Sequence, residues 1–307
     1  MRRKSGFVVL LILIVLSMLG CNDTDKDLIL KNKEKGIEIN RNESYKPNEV
    51  QDEDVVFESI DDGLHIEKIA DGTFVVNHEF PWASNSMVVV MNNSDIILID
   101  TPNTPEATKM LLDWMNNKFG KRKLVAINTG FHFDNLGGNQ TLIEDGIPIY
   151  GSTLTVDLIE EYGEDSRDLM LKWLDKPESK IFYDTYKTIP YIAPTNLFDL
   201  DESDMVIEIE ALSKYDQEIE IYYPGESHSK DNLVVNFPQK NILFGGCMIK
   251  SLESINLGNI ADANLDEWPK SVKKVLDKYE YSTEIVIPGH GDIGNLDLIR
   301  HTIELGK

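Results

Sequence analysis

The sequence predicts an α/β sandwich, αββα, in which two mixed sheets lie face to face with helices outside. Three observations predict it. Short strands dense in Val, Ile and Phe come first, a helix follows, and a similar order then repeats, which reads as two stacked halves. The early strands are too many for a doubly wound sheet, and no GxGxxG fingerprint is present. Polar, turn-rich stretches follow strands in both halves, where α/β folds collect their chemistry.

The elements justify this in order. DVVFESI, LHIEKIA and TFVVNHEF are strands, broken by Asp-Gly pairs at 62–63 and 71–72. Residues 86–100, SMVVVMNNSDIILID, read as a hairpin that turns at Asn92-Asn93 and ends at Asp100. TPEATKMLLDWMNNKF (104–119) is a helix started by Thr104-Pro105, with Met110, Leu111, Trp114 and Met115 at helical spacing. KLVAINTG (123–130) is a buried strand that runs into the polar turn NTGFHFDNLGGN. IPIYGS is a short strand. TVDLIEEYGEDSRDLMLKWLDK is mostly helical with a weak point at Gly163, and 176–200 is mixed. MVIEIEAL (205–212) and EIEIYYPG (218–225) read as strands, and NLVVNFPQKNILFGGCMI (232–249) as a hairpin. DEWPKSVKKVLDKYEY (266–281) is a helix with Pro269 in its first turn. EIVIPGHG (284–291) is a last buried strand, and DLIRHTIELGK a closing helix.

With 41% apolar residues, the 307-residue chain can build a real core. Its formal charge of −23 repels phosphate backbones, so nucleic acid is excluded as partner or substrate. Residues 1–21 stand apart. MRRKSGF is basic, VVLLILIVLSMLG is a short apolar run, and Cys21 follows, which is the pattern of an export signal. The ending MLGC resembles a bacterial lipoprotein signal, with Cys21 as the lipid-bearing residue. That implies a periplasmic protein anchored to the outer membrane. Residues 22–50 are polar and poor in aromatics, and read as a tether for a domain over 51–307. A monomer is expected. Cys247 is the only other cysteine, so it has no partner for an internal disulfide. It is a buried structural thiol or a metal ligand.

Three of the six histidines lie in turns just after predicted strands: His132 in NTGFHFDNLGG, His228 in YYPGESHSKDN and His290 in VIPGHGD. Asp134 accompanies His132, and Cys247 sits in LFGGCMIK. Imidazole, thiolate and carboxylate together suit zinc. His78 in VVNHEFPW reads as a surface histidine, with a metal contact the sharper alternative. His65 and His301 are given no functional role.

At these residues the chain resembles the metallo-β-lactamase superfamily, within it the class B β-lactamases, and most closely their B1 branch. The resemblance runs through LIDTP (98–102), HFDNLGG (132–138), PGESHSKDNLVV (224–235), ILFGGCMIK (242–250), NLGNIADANLDEWPKS (256–271) and IPGHG (287–291). Superfamily hydrolases of other esters, and of RNA, usually carry aspartate where Cys247 stands. The resemblance implies a tight zinc site of Asp134, Cys247 and His290. It implies a second, weakened site of His132 and His228, because the leading histidine of that set is Gly130. It further implies hydrolysis of the β-lactam amide bond, of carbapenems and other β-lactams, by water attack. His132, Asp134, Lys250 and Asn259 would be the catalytic group, Lys250 pairing with the substrate carboxylate and Asn259 lying near the carbonyl oxygen. Asp100 would orient a ligand from beneath the metal turn. Phe131 and Phe133 are expected to pack into the two sides of the turn, and either is a candidate to wall the cavity left by Gly130. The stretch 153–190 is longer than the family usual. The alternatives are a hydrolase of another ester or amide, and a zinc-binding lipoprotein module with little turnover.

Overall fold

A computed structural model describes residues 57–307 except Asp62, Asp201, Asp216 and Gln217. The expected signal peptide, Cys21 and the tether lie outside the described residues.

An eight-stranded sheet runs in sequence order. β1 (Phe57–Asp61), β2 (Leu64–Ala70), β3 (Thr73–Glu79), β4 (Ala83–Val90) and β5 (Ile96–Ile99) are antiparallel neighbours. β6 (Leu124–Ile127), β7 (Ile149–Ser152) and β8 (Asn196–Phe198) continue it in parallel. The second sheet has the order β13 (Ile285–Pro288), β12 (Ile242–Gly246), β11 (Val234–Phe237), β10 (Glu220–Tyr223), β9 (Met205–Ile207). Only its β12–β13 pair is parallel. Both sheets are therefore mixed, as expected.

Alternation along the strands builds the layers. Val75, Met87, Ile97 and Ile99 point into a core shared with Val235, Phe237, Phe244 and Ile287 of the facing sheet. Their sequence neighbours Val76, Val88 and Leu98 point outward onto Leu111, Leu112, Trp114 and Met115 of α1 (Pro105–Phe119). α1 starts on Thr104, whose side chain accepts from Ala107 N, and ends at Gly120 with φ 72°. On the other face, Val234, Leu243 and Val286 pack on Trp268, Val272 and Val275 of α6 (Trp268–Tyr279) and on Leu298 and Ile299 of α7 (Leu296–Leu305).

Four local expectations need correction. The polar turn after β6 contains two short helices, α2 (Phe133–Leu136) and α3 (Asn139–Glu144). Gly163 does not interrupt α4 (Thr153–Leu174), since one interior glycine costs only about 1 kcal/mol against 22 residues of continuous helix. α5 (Lys180–Tyr186) follows it. The strand expected over 205–212 stops at Ile207. Residues Glu210–Tyr215 coil into a 3-10 turn that buries Leu212 and Tyr215 three apart in the inter-sheet core. His78 is not on the surface. It is 6% exposed, its Nδ1 accepts from Asn103 N at 3.0 Å, and burial lowers its pKa to about 4.

Candidate metal centre

Every residue of the centre leaves the C-terminal end of a strand or the loop after it. β5 delivers Asp100, β6 leads to Gly130–Asp134, β10 to His228, β12 to Cys247 and β13 to His290. The strand ends of both sheets meet at one edge of the sandwich, so residues far apart in sequence converge.

Asp134, Cys247 and His290 come together. One ligand atom from each lies within 4.8 Å of the others. His290 Nε2 stands 2.9 Å from Asp134 Oδ2, and Cys247 Sγ stands 3.2 Å from the same oxygen. His290 Nδ1 is 2.7 Å from the Ala83 carbonyl oxygen, which accepts its proton, so Nε2, the nitrogen facing Asp134, is the one a cation would take in place of a proton. Burial alone would raise the Asp134 carboxyl, but the hydrogen bond and charge of His290, with the charge of His132, hold it well below the carboxylate range. Burial, then the Asp134 charge, drives the Cys247 thiol well above its usual range. A divalent cation reverses that, because a coordinating thiol gives up its proton. Sulfur, nitrogen and oxygen donors converging at this spacing fit zinc.

Asp100 is buried at the end of β5. Its carboxylate accepts from Thr129 N and Thr129 Oγ1, both at 2.7 Å, and from Asn135 Nδ2 at 2.9 Å. Asn135 Nδ2 also faces Cys247 Sγ at 3.8 Å. Asp100 therefore reaches the thiol through one carboxamide. It takes up φ 56°, and burial pushes its pKa up to about 7.

The histidine side differs. His132 and His228 are brought together, ring centroids 4.9 Å apart, with His228 against Trp268 at 5.3 Å. Gly130 contributes no donor, and the cavity expected there does not exist. A Cβ on Gly130 would lie 2.8 Å from Asn232 Nδ2 and 3.1 Å from Asn135 Oδ1. Asn232 is tied in place, its Oδ1 accepting from Ser229 N at 2.8 Å and Ser227 Oγ at 3.1 Å. Phe131 is buried against His132, and Phe133 turns away onto Tyr191 and Tyr186. Two imidazoles without a third protein donor do not match the three-histidine zinc set.

One partner was missed from sequence. His132 Nε2 lies 2.8 Å from Asp262 Oδ2. Asp262 stands inside NLGNIADANLDEWPKS, but nothing local in that loop announces its reach of 130 residues back to His132. Burial lowers the proton affinity of His132, and the Asp262 bond with surrounding carboxylates raises it by more, so the net shift is upward. His228 goes the other way, pushed well down by burial and by the charges of Lys250 and His132. Lys250 is buried, its ammonium 5.2 Å over the Trp268 ring. Asn259 is exposed on the loop that returns past Lys250, its Oδ1 accepting from Ala261 N at 3.1 Å. His65 stacks on Phe57, and His301 Nε2 meets Ser254 O at 2.8 Å, both away from the centre.

Known proteins share this frame. The family model described as the metallo-beta-lactamase superfamily matches residues 80–290. The metallo-beta-lactamase type 2 of Bacillus cereus is 34% identical over 220 residues, 71% of this chain and 72% of its own. That of Bacteroides fragilis is 33% identical over 222 residues, 72% of this chain and 74% of its own. The TMB-1 structure superposes with a TM-score of 0.62 at 31% identity, covering 80% of this chain and 97% of its own. The DIM-1 metallo-beta-lactamase gives 0.63 at 28%, covering 80% and 97%. With the sandwich, the converging strand ends and the Asp-Cys-His triad, these matches establish that the chain belongs to the metallo-beta-lactamase superfamily.

Proposed function

We propose that this chain hydrolyses the β-lactam amide bond, carbapenems among its substrates, with one zinc held tightly by Asp134, Cys247 and His290. The observation that carries this is the convergence of those three ligand atoms within 4.8 Å. Bound there, zinc supplies a Lewis acid for the charge that develops as the ring opens.

The remaining steps fall to side chains. Lys250, a buried cation in an acidic protein, binds the substrate carboxylate. Asp262 keeps the His132 proton on Nε2, so Nδ1 presents a lone pair to a water. His132 Nδ1 takes a proton as the water oxygen bonds to the lactam carbonyl carbon. The C–N bond then breaks, and that proton passes to the departing nitrogen. The products are an amine and a carboxylic acid, which ionises to the carboxylate by giving its remaining proton to solvent. Asn259, exposed on the loop whose Gly258 lies beside the Lys250 ammonium, would donate to the carbonyl oxygen.

The MLGC ending supports export and lipidation at Cys21, which would hold the domain at the periplasmic face of the outer membrane. The test of the reaction is direct. Zinc-loaded protein is incubated with a carbapenem, a cephalosporin and a penicillin while lactam absorbance is followed. Loss of absorbance that a chelator stops is expected. Flat traces with all three, despite bound zinc, would remove the lactamase reading.

A further inference from the structure

We propose that α4 and α5 form a buttress that positions two ligands of the zinc triad, with Arg167 as its central positioning residue. This rests on the metal reading of Asp134, Cys247 and His290, and not on the substrate.

The buttress grips the centre at two places. The first is Phe133, which lies between His132 and Asp134 in the chain. Its ring packs 4.1 Å from Tyr191 and 5.2 Å from Tyr186, and the Arg167 guanidinium lies 5.4 Å over it. The second is the β3–β4 turn. Tyr186 OH donates to Phe80 O at 2.8 Å, Phe80 packs edge-on to Phe182 at 4.9 Å, and Trp82 packs edge-on to Trp173 at 6.0 Å. The next residue, Ala83, offers the carbonyl that holds His290 Nδ1 at 2.7 Å. One pair of helices therefore touches the backbone beside Asp134 and the backbone that orients His290.

Arg167 joins the parts. It projects from α4, with a side chain 13% exposed. Its Nη1 donates to Tyr186 O at 2.9 Å, the last carbonyl of α5, and to Ile189 O at 2.7 Å in the turn that follows. Its planar face covers both Phe133 and Tyr191. The carboxylate it pairs with, Glu164, lies 3.6 Å away and is 87% exposed, so that ion pair is weak. Packing alone would be met by an apolar side chain. Two carbonyls and two ring faces require a flat, multiply donating group, which lysine does not supply. The far end of α4 is also fixed to the centre. Thr155 Oγ1 donates at 2.8 Å to buried Asp231, three residues beyond His228.

The test reads zinc on the full chain. Apo protein is titrated with zinc against a chromophoric chelator. Cobalt is then substituted, and the thiolate-to-cobalt absorption is recorded beside the melting temperature. Arg167→Met should weaken zinc roughly tenfold, the scale of losing an outer partner of a metal ligand, and alter the cobalt band. Arg167→Lys should recover little of this. Lys118→Met, which removes a cation stacked on Phe74 and Trp114 in the α1 layer, should leave zinc affinity unchanged. Zinc affinity in Arg167→Met within twofold of the parent overturns the proposal. So does equal weakening by Lys118→Met, which would mean general destabilisation. If Arg167→Met does not fold, Tyr186→Phe carries the test, because it deletes only the bond to Phe80, and unchanged zinc affinity there refutes the buttress. No lactam is turned over, so this result and the lactamase reading stand or fall separately.

Discussion

Replacing Gly130 by histidine restores the family's missing ligand on paper, and the structure predicts that it fails. The new Cβ alone would lie 2.8 Å from Asn232 Nδ2 and 3.1 Å from Asn135 Oδ1. Neither carboxamide moves freely. Asn232 satisfies Ser229 N and Ser227 Oγ, and Asn135 donates to Asp100. Overpacking costs about 1–3 kcal/mol, and each hydrogen bond broken to relieve it adds roughly 1 kcal/mol. A total of about 2–4 kcal/mol corresponds to a melting temperature lower by roughly 4–16 °C for a domain of this size. The assay is scanning calorimetry of apo and zinc-loaded Gly130→His, with native mass spectrometry to count metal. The expected outcome is a destabilised protein that still holds one zinc. A variant that keeps the parent melting temperature and binds two zincs of similar affinity would refute the reasoning, and would show that the carboxamides yield to a ligand.

Three further outcomes follow from the site. Zinc binding must expel the proton of Cys247, held on the thiol by burial and by Asp134, so affinity should rise with pH and calorimetry should detect proton release. Cys247→Ser should abolish that release and weaken zinc by more than the roughly 10–100-fold that loss of an outer partner causes. Asp100 has a folded pKa raised to about 7, above the unfolded value of about 3.9, so its contribution to apo stability is full below pH ~4 and is lost as pH rises towards 7. Asp100→Asn should flatten the apo melting temperature across that window, and an unchanged slope would contradict the assignment. Lys250→Met should raise KM for a carboxylate-bearing lactam roughly 10–100-fold, the worth of one charge-assisted hydrogen bond, with a smaller effect on kcat. A fall in kcat alone would place Lys250 outside substrate binding.

The layer order was legible because strand alternation is a local property. Val75 and Val76, or Leu98 and Ile99, declare opposite faces in the sequence itself. The triad was legible because each member sits in a short glycine-bearing turn that ends a strand. His78 was misread because its burial comes from Asn103, 25 residues away, which no local pattern reports. The space at Gly130 was misread for the same reason. Glycine in a sequence looks like an absence, whereas here Asn232 from the distant loop after β10 and Asn135 from the same folded turn fill it. Asp262 lay in plain view as one acid among 53 Asp and Glu residues, and only the fold selects it. The role of 153–190 was unreadable because it depends on where Phe80 and Phe133 fall in space.

The missing donor at 130 and the carboxylate at 262 bear on the same pair of histidines. His132 and His228 are close neighbours, yet their surroundings push them apart. Asp262 and nearby carboxylates raise the proton affinity of His132 against the effect of burial, while burial, Lys250 and His132 itself keep His228 neutral. A cation between them would find two donors instead of three and would lie near the Lys250 ammonium, and both oppose a metal. Asp262 does not, because a carboxylate on Nε2 leaves Nδ1 open to a cation or to a water alike. An imidazole with a carboxylate on Nε2 and an open Nδ1 is equipped to take a proton from water, and its neutral neighbour does not compete for that proton. The glycine thus removes a ligand from one histidine set, while the aspartate fixes which nitrogen of the remaining histidine stays open, an arrangement that suits the proposed centre of one metal and one base.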